Sequence, residues 1–165
     1  MAEGQLLVAE EGGVALMRVV GRGTFKLAVG FSRWIEQLKA MPELKSVMLD
    51  LSGCSSLDST FMGLMVTLAR QSRGRCALLV VNATPEHHSL LDGIGVMRVW
   101  KYVDQPVTDL TWQNLASAAD GATTLDERTR KLILAAHETL IELDQANEPK
   151  FRDVVDMLKA EDQSL

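Results

Sequence analysis

Two short, almost unbroken apolar runs, Val47-Met48-Leu49-Asp50-Leu51 and Ala77-Leu78-Leu79-Val80-Val81, constrain this chain more than any other feature. Runs of this length that hardly alternate read as strands covered on both faces. Between them Phe61, Leu64, Met65, Leu68 and Ala69 follow the i, i+3, i+4, i+7, i+8 spacing of an amphipathic helix. Gly74 lies just beyond, where a left-handed residue can close that helix. Strand, helix, strand in this order predicts a βαβ unit with parallel strands.

The flanking segments extend the unit. Leu6-Leu7-Val8-Ala9 and Val14-Ala15-Leu16-Met17-Arg18-Val19-Val20 are joined by Glu10-Glu11-Gly12-Gly13, whose paired glycines suit a tight reversal, so a β-hairpin is predicted. Phe31, Trp34, Ile35 and Leu38 place a helix over residues 31–40, stopped by Met41-Pro42. Thr84 as N-cap and Pro85 at the first helical position open a short helix that ends at Asp92-Gly93-Ile94-Gly95. Val99-Trp100-Lys101-Tyr102-Val103 is the expected last strand. The predicted fold is therefore α/β, a sheet of four to five strands with helices packed on it.

Beyond residue 110 the character changes. Residues 1–110 hold equal numbers of basic and acidic side chains, so residues 111–165 carry the whole formal charge of −5. We divide the chain into a domain over 1–110 and a helical extension over 111–165. Residues 111–124 read as a linker or loose helix, because Trp112 and Leu115 are their only large apolar residues. Leu125, Leu132, Ala136, Leu140 and Leu143 then form one helical stripe, and Asn147-Glu148-Pro149 opens a last helix with Phe151, Val154, Val155 and Leu158. So short an extension cannot build a core of its own. It is expected to dock on its own domain or on another chain, a homodimer through Leu132, Leu140 and Leu143 being one outcome.

The net negative charge argues against coating a phosphate backbone, so no nucleic acid partner is expected. No apolar run is long enough to insert in a membrane. Cys54 and Cys76 form no CxxC pair, and residues 1–5 do not resemble a secretory leader, which together point to a reducing cytoplasm. His87 and His88 are adjacent and so point about 100° apart on a helix. They are read as surface positions, and no metal site or other cofactor is expected. Gly21-Arg22-Gly23 lacks the last glycine of a dinucleotide fingerprint, and there is no GxxxxGK[ST] loop. The tryptophans Trp34, Trp100 and Trp112 are read as packing residues.

The informative segment is Ser52-Gly53-Cys54-Ser55-Ser56-Leu57-Asp58-Ser59-Thr60, which joins a buried parallel strand to a helix. That edge of an open α/β sheet is where ligands and reactions collect. Ser59 falls at or beside the N-cap, where unpaired N–H groups and the helix dipole welcome negative charge. With Phe61, Leu64, Met65 and Leu68 facing the sheet, Ser59, Met62, Gly63, Val66 and Arg70 lie on the opposite side. This stripe reads as a docking face headed by a serine, and Gly63 implies close approach of another backbone. Serines in such loops also serve as caps and turn formers, and the C-terminal extension could cover the same face. A triad of Ser59, His87 and Asp58 can be drawn, but no GxSxG elbow surrounds the serine. The chain is not expected to be an enzyme.

Leu49-Asp50-Leu51-Ser52-Gly53-Cys54-Ser55-Ser56-Leu57-Asp58-Ser59-Thr60-Phe61-Met62-Gly63-Leu64 resembles the signature of the STAS domain, shared by anti-sigma factor antagonists and the cytoplasmic part of sulfate transporters. Gly21-Arg22 and the Gly93-Ile94-Gly95 turn agree with it. In the antagonist branch this resemblance implies partner switching. Ser59 would be phosphorylated by a partner that is both anti-sigma factor and serine kinase, with Thr60 as a second acceptor, and a PP2C-type phosphatase would reverse it. Asp58, Met62, Gly63, Val66 and Arg70 would form the partner-binding surface. The alternative is an unswitched STAS scaffold in a larger assembly, stressosome-like or lipid-transporting. A third reading makes Ser59 the nucleophile of a hydrolase or transferase.

Overall fold

The computed structural model describes residues 3–104, 110–118 and 125–163. The hairpin forms as expected: β1 (Gln5–Glu11) and β2 (Val14–Gly23) pair antiparallel, with Gly12 and Gly13 both at positive φ in the turn. A single 3-10 turn, Phe25–Leu27, leads into α1 (Ala28–Lys39). Then come β3 (Ser46–Leu57), α2 (Ser59–Gln71) and β4 (Ala77–Val81), the βαβ unit, with β3 and β4 parallel as its pattern required. The chain continues through α3 (Pro85–Gly93) and β5 (Lys101–Val103) to β6 (Gln113–Ser117), α4 (Glu127–Leu143) and α5 (Glu148–Gln163).

The sheet has six strands in the order β5-β4-β3-β2-β1-β6. The sixth comes from the segment read as a linker or loose helix. Gln113–Ser117 is short and largely polar, and it becomes a strand by pairing antiparallel with β1 at the sheet edge. Residues 119–124 of the expected linker lie outside the described residues, as do 105–109 at the proposed boundary. β3 is also longer than its apolar run. Ser52 to Leu57 continues the strand, and its pairing with β2 carries two register shifts, between Arg18 and Val20 and between Gly21 and Arg22. These irregularities re-aim the end of β3 toward the start of α2.

The main core lies between one face of the sheet and the helices. Met17, Val19, Val47, Leu49, Leu51 and Val80 pack there with Phe31 and Ile35 of α1 and Phe61, Met65 and Leu68 of α2. The two faces are not equally covered, contrary to the reading of the apolar runs. Leu16, Met48 and Leu79 stand side by side in the ladder on the other face, and the last two are only half-buried. That face also carries a buried charge. Asp50 receives Arg18 Nε at 2.7 Å, Asn82 Nδ2 at 3.0 Å and the Ser52 amide at 3.0 Å. Burial by itself would raise the Asp50 pKa, but the hydrogen bonds from Asn82, Ser52 and Arg18 outweigh it and hold the carboxyl below its usual value.

Trp34 and Trp100 are packing residues, the latter donating its indole N–H to the Met65 carbonyl at 2.9 Å. Trp112 is half-buried under the Arg18 guanidinium, 4.4 Å from the ring centre. The C-terminal extension docks on its own domain. Leu140 is fully buried and Leu132 and Leu143 pack against the core, so the apolar line offered for a homodimer is used within the chain. Leu125, read as part of the same line, is exposed. Among the described residues no helix is long and apolar enough to cross a membrane.

Candidate functional site

The site begins where β3 ends. Asp58, not Ser59, is the N-cap of α2: it has extended backbone angles and its Oδ1 accepts the Phe61 amide at 2.8 Å. Its Oδ2 accepts the Phe25 amide at 2.8 Å, and its own N–H donates to the Gly23 carbonyl at 2.9 Å. One carboxylate thus fastens the head of α2 to the end of β2. Burial raises the Asp58 pKa, and the hydrogen bonds from Phe61 and Phe25 oppose that rise without cancelling it. Beside it, Glu3, Arg22, Thr24, Phe25 and Lys26 line a small cleft of about 130 Å³.

Displacing the cap to Asp58 leaves the Ser59 hydroxyl free for another contact. Its Oγ lies 2.7 Å from Nε2 of His137, on α4. The other ring nitrogen, Nδ1, lies 2.7 Å from the Ile133 carbonyl one turn earlier in the same helix. A carbonyl only accepts, so Nδ1 carries the proton there and, in the neutral ring, Nε2 accepts the Ser59 hydroxyl. His137 is 4% exposed and meets the edge of Phe151 on α5. Ser59 itself is half-buried.

Thr60, the second expected acceptor, is 4% exposed and turned into the fold. The stripe expected to face solvent or a partner is covered instead. Met62 and Val66 are buried, and among the described residues α4 and α2 make the most extensive helix–helix contact. The approach of a second backbone at Gly63 is real, and that backbone belongs to α4. A Cβ at Gly63 would stand 2.5 Å from the Ala136 carbonyl oxygen and 2.7 Å from its Cβ. At the far end of the stripe Arg70 remains exposed and pairs with Glu142 at 2.7 Å.

The histidines correct the sequence reading. His87 is not a surface residue: it is 1% exposed, its Nδ1 accepts the Thr84 amide at 2.9 Å and its Nε2 faces the Cys54 carbonyl at 2.9 Å. It holds α3 to β3, so the triad drawn through His87 does not form. His88 stacks on Tyr102, with ring centres 3.8 Å apart. The histidine beside the serine is His137, 78 positions away in sequence. Its sequence signal was weak: a polar residue four positions after Ile133 and three before Leu140, on the apolar stripe of an amphipathic helix. Cys54 is buried, and desolvation lifts its thiol pKa to about 11, which makes it a poor nucleophile at neutral pH.

The arrangement combines a half-buried hydroxyl, a helix N-terminus and a histidine that accepts the hydroxyl proton. The hydroxyl stands where a helix N-terminus welcomes negative charge, and it is in direct contact with α4.

Comparison with known proteins bears on the domain as a whole. The STAS domain family matches residues 5–108. Twelve solved chains are significantly similar. One is a protein from Thermotoga maritima proposed to be an anti-sigma factor antagonist, at TM-score 0.52 and 17% identity, covering 61% of this chain and 86% of that one. Another is the anti-sigma factor antagonist SpoIIAA in its unphosphorylated form, at TM-score 0.47 and 15% identity, covering 64% and 89%. At such identities the likeness concerns the fold. No curated protein matches the chain.

Proposed function

The chain belongs to the STAS domain family, and from that premise we propose that it is a cytoplasmic regulator that works by partner switching, controlled by reversible phosphorylation of Ser59. The observation that carries this reading is the position of Ser59, half-buried in the first turn of α2, with its hydroxyl outside the capping role that Asp58 performs. The partner that binds the unmodified form is an anti-sigma factor that is also a serine kinase. A PP2C-type phosphatase restores the hydroxyl. Similarity in fold to a protein proposed as an anti-sigma factor antagonist supports the choice of branch.

The physics of the switch follows from charge. A phosphoserine brings about −1.5 to −2 charges at pH 7. The α2 N-terminus tolerates this charge, but an interface closed over it must pair or desolvate a dianion. Failing that, the complex loses several kcal/mol, and each ~1.4 kcal/mol is tenfold in affinity.

We propose a binding module and not an enzyme. The Ser59–His137 contact has the first link of a nucleophile–base pair, but the group that orients the ring is the neutral Ile133 carbonyl, which cannot stabilise an imidazolium as a carboxylate does. Covalent labelling of Ser59 by a phosphonyl probe, abolished by His137→Ala, would revive the hydrolase reading.

The test is a pull-down from native lysate with wild-type, Ser59→Ala and Ser59→Asp baits, with mass spectrometry of the partners and of Ser59. A kinase-type partner retained by the alanine bait and lost by the aspartate bait is the expected result. Identical partners on all three, with Ser59 never phosphorylated, would sink the switch and favour the scaffold.

A further inference from the structure

The contact between α2 and α4 is built differently from the rest of the core. Its middle is apolar and tight, with Met62 and Val66 buried and Gly63 so close to Ala136 that no side chain fits between the helices. Its two ends are polar. Ser59 meets His137 at one end and Arg70 meets Glu142 at the other. A glycine inside a helix weakens that helix, and here it is matched to an alanine on the facing one. The α4–α5 turn is fastened separately. Asn147 Nδ2 donates to the Ile94 and Leu140 carbonyls at 2.9 and 2.8 Å, Lys150 Nζ to the Gly93 carbonyl at 2.8 Å, and Arg98 pairs with Asp144 at 3.0 Å.

We infer that the outer face of α2 is a helix-accepting groove whose resident occupant is α4 of the same chain. Its chemistry then specifies an external partner: a protein that offers a helix with a small residue over Gly63, an acidic residue over Arg70 and a hydrogen-bond acceptor at Ser59. Such a partner has to displace α4, so its apparent affinity is reduced by the fraction of molecules in which α4 is docked. His137 makes the occupant sensitive to Ser59. At 2.7 Å there is no space for a phosphoryl group between Oγ and Nε2, so modification of Ser59 and docking of α4 oppose each other, and the opposition is reciprocal. Only this last step rests on the proposed phosphorylation. The groove and its occupant stand on packing alone.

The experiment uses the full-length chain. Ala136→Arg places a long side chain against Gly63 and releases α4, while a fluorescent peptide of native sequence, residues 125–147, serves as the probe. Amide exchange read by mass spectrometry follows α4, β3 and β4 in the same samples. The expected result is faster exchange in α4 with β3 and β4 unchanged, and peptide binding to Ala136→Arg at least tenfold tighter than to the wild-type chain. Adding Gly63→Val should abolish that binding while β3 stays protected. His137→Ala, the milder variant, should raise exchange in α4 and α5 and leave β3 and β4 unchanged.

Loss of β3 and β4 protection together with α4 in both Ala136→Arg and His137→Ala would overturn the inference, because α4 would then be an inseparable part of the core. So would a released α4 with no peptide binding. Phosphoserine installed at position 59 of the Ala136→Arg chain should weaken the peptide at least tenfold. Binding indifferent to that phosphate would defeat the Ser59 switch and leave the groove in place.

Discussion

Helix α2 is packed on two sides, and the two sides are made of different material. Toward the sheet it presents Phe61, Leu64, Met65 and Leu68, all at most 3% exposed, with Phe61 tilted against Phe31 of α1 at 4.9 Å. Toward α4 it presents a glycine, two apolar residues and polar groups at either end. The first side has no means of release short of unfolding, since opening it exposes large apolar surface. The second is a contact whose ends can be hydrated or recharged. Where a fold needs one permanent and one changeable contact on a single helix, this division of chemistry supplies both.

The comparison can be broken by variants on either side. The largest effect is expected from Phe61→Ala, which empties a fully buried aromatic site and should cost about 3–5 kcal/mol. It should appear in thermal unfolding as destabilisation of the whole protein, including β3 and β4. Asn147→Ala should cost less, about 1–3 kcal/mol, by removing the donor to the Ile94 carbonyl and leaving the Leu140 carbonyl with the longer bond from the Asp144 amide. Here amide exchange should rise in α4 and α5 and stay unchanged in β3. A global loss would show that the two sides are one cooperative unit. Smallest is Arg70→Ala, because its pair with Glu142 is exposed at both partners and such pairs contribute about 0–1 kcal/mol. A loss above that range, measured by chemical denaturation, would mean that the ion pair anchors α4.

The fold was legible wherever the signal was local. Apolar run length and helical spacing placed β3, α2 and β4, and the glycine pair placed the first hairpin. Where a partner determines the structure, the sequence was silent. Gln113–Ser117 has little strand character and becomes β6 because β1 has an open edge beside it. The capping residue was left open for the same reason. Asp58 and Ser59 can both cap a helix, and the choice falls to Asp58 because its second oxygen holds the Phe25 amide, 33 positions earlier.

The candidate site shows the limit most sharply. From the sequence alone follow the α/β class, the strand-to-helix edge bearing Ser59, the stripe opposite the sheet and the need for close approach at Gly63. All four depend on periodicity and on the stereochemistry of single residues. Only the tertiary structure decided that the approaching backbone is the chain's own α4, that His87 is buried in a structural role and that His137 reaches Ser59. The physical reason is that a helix periodicity states which face is apolar but not what covers it. That is settled by the geometry of the packed elements, between residues that have no neighbours in common along the chain.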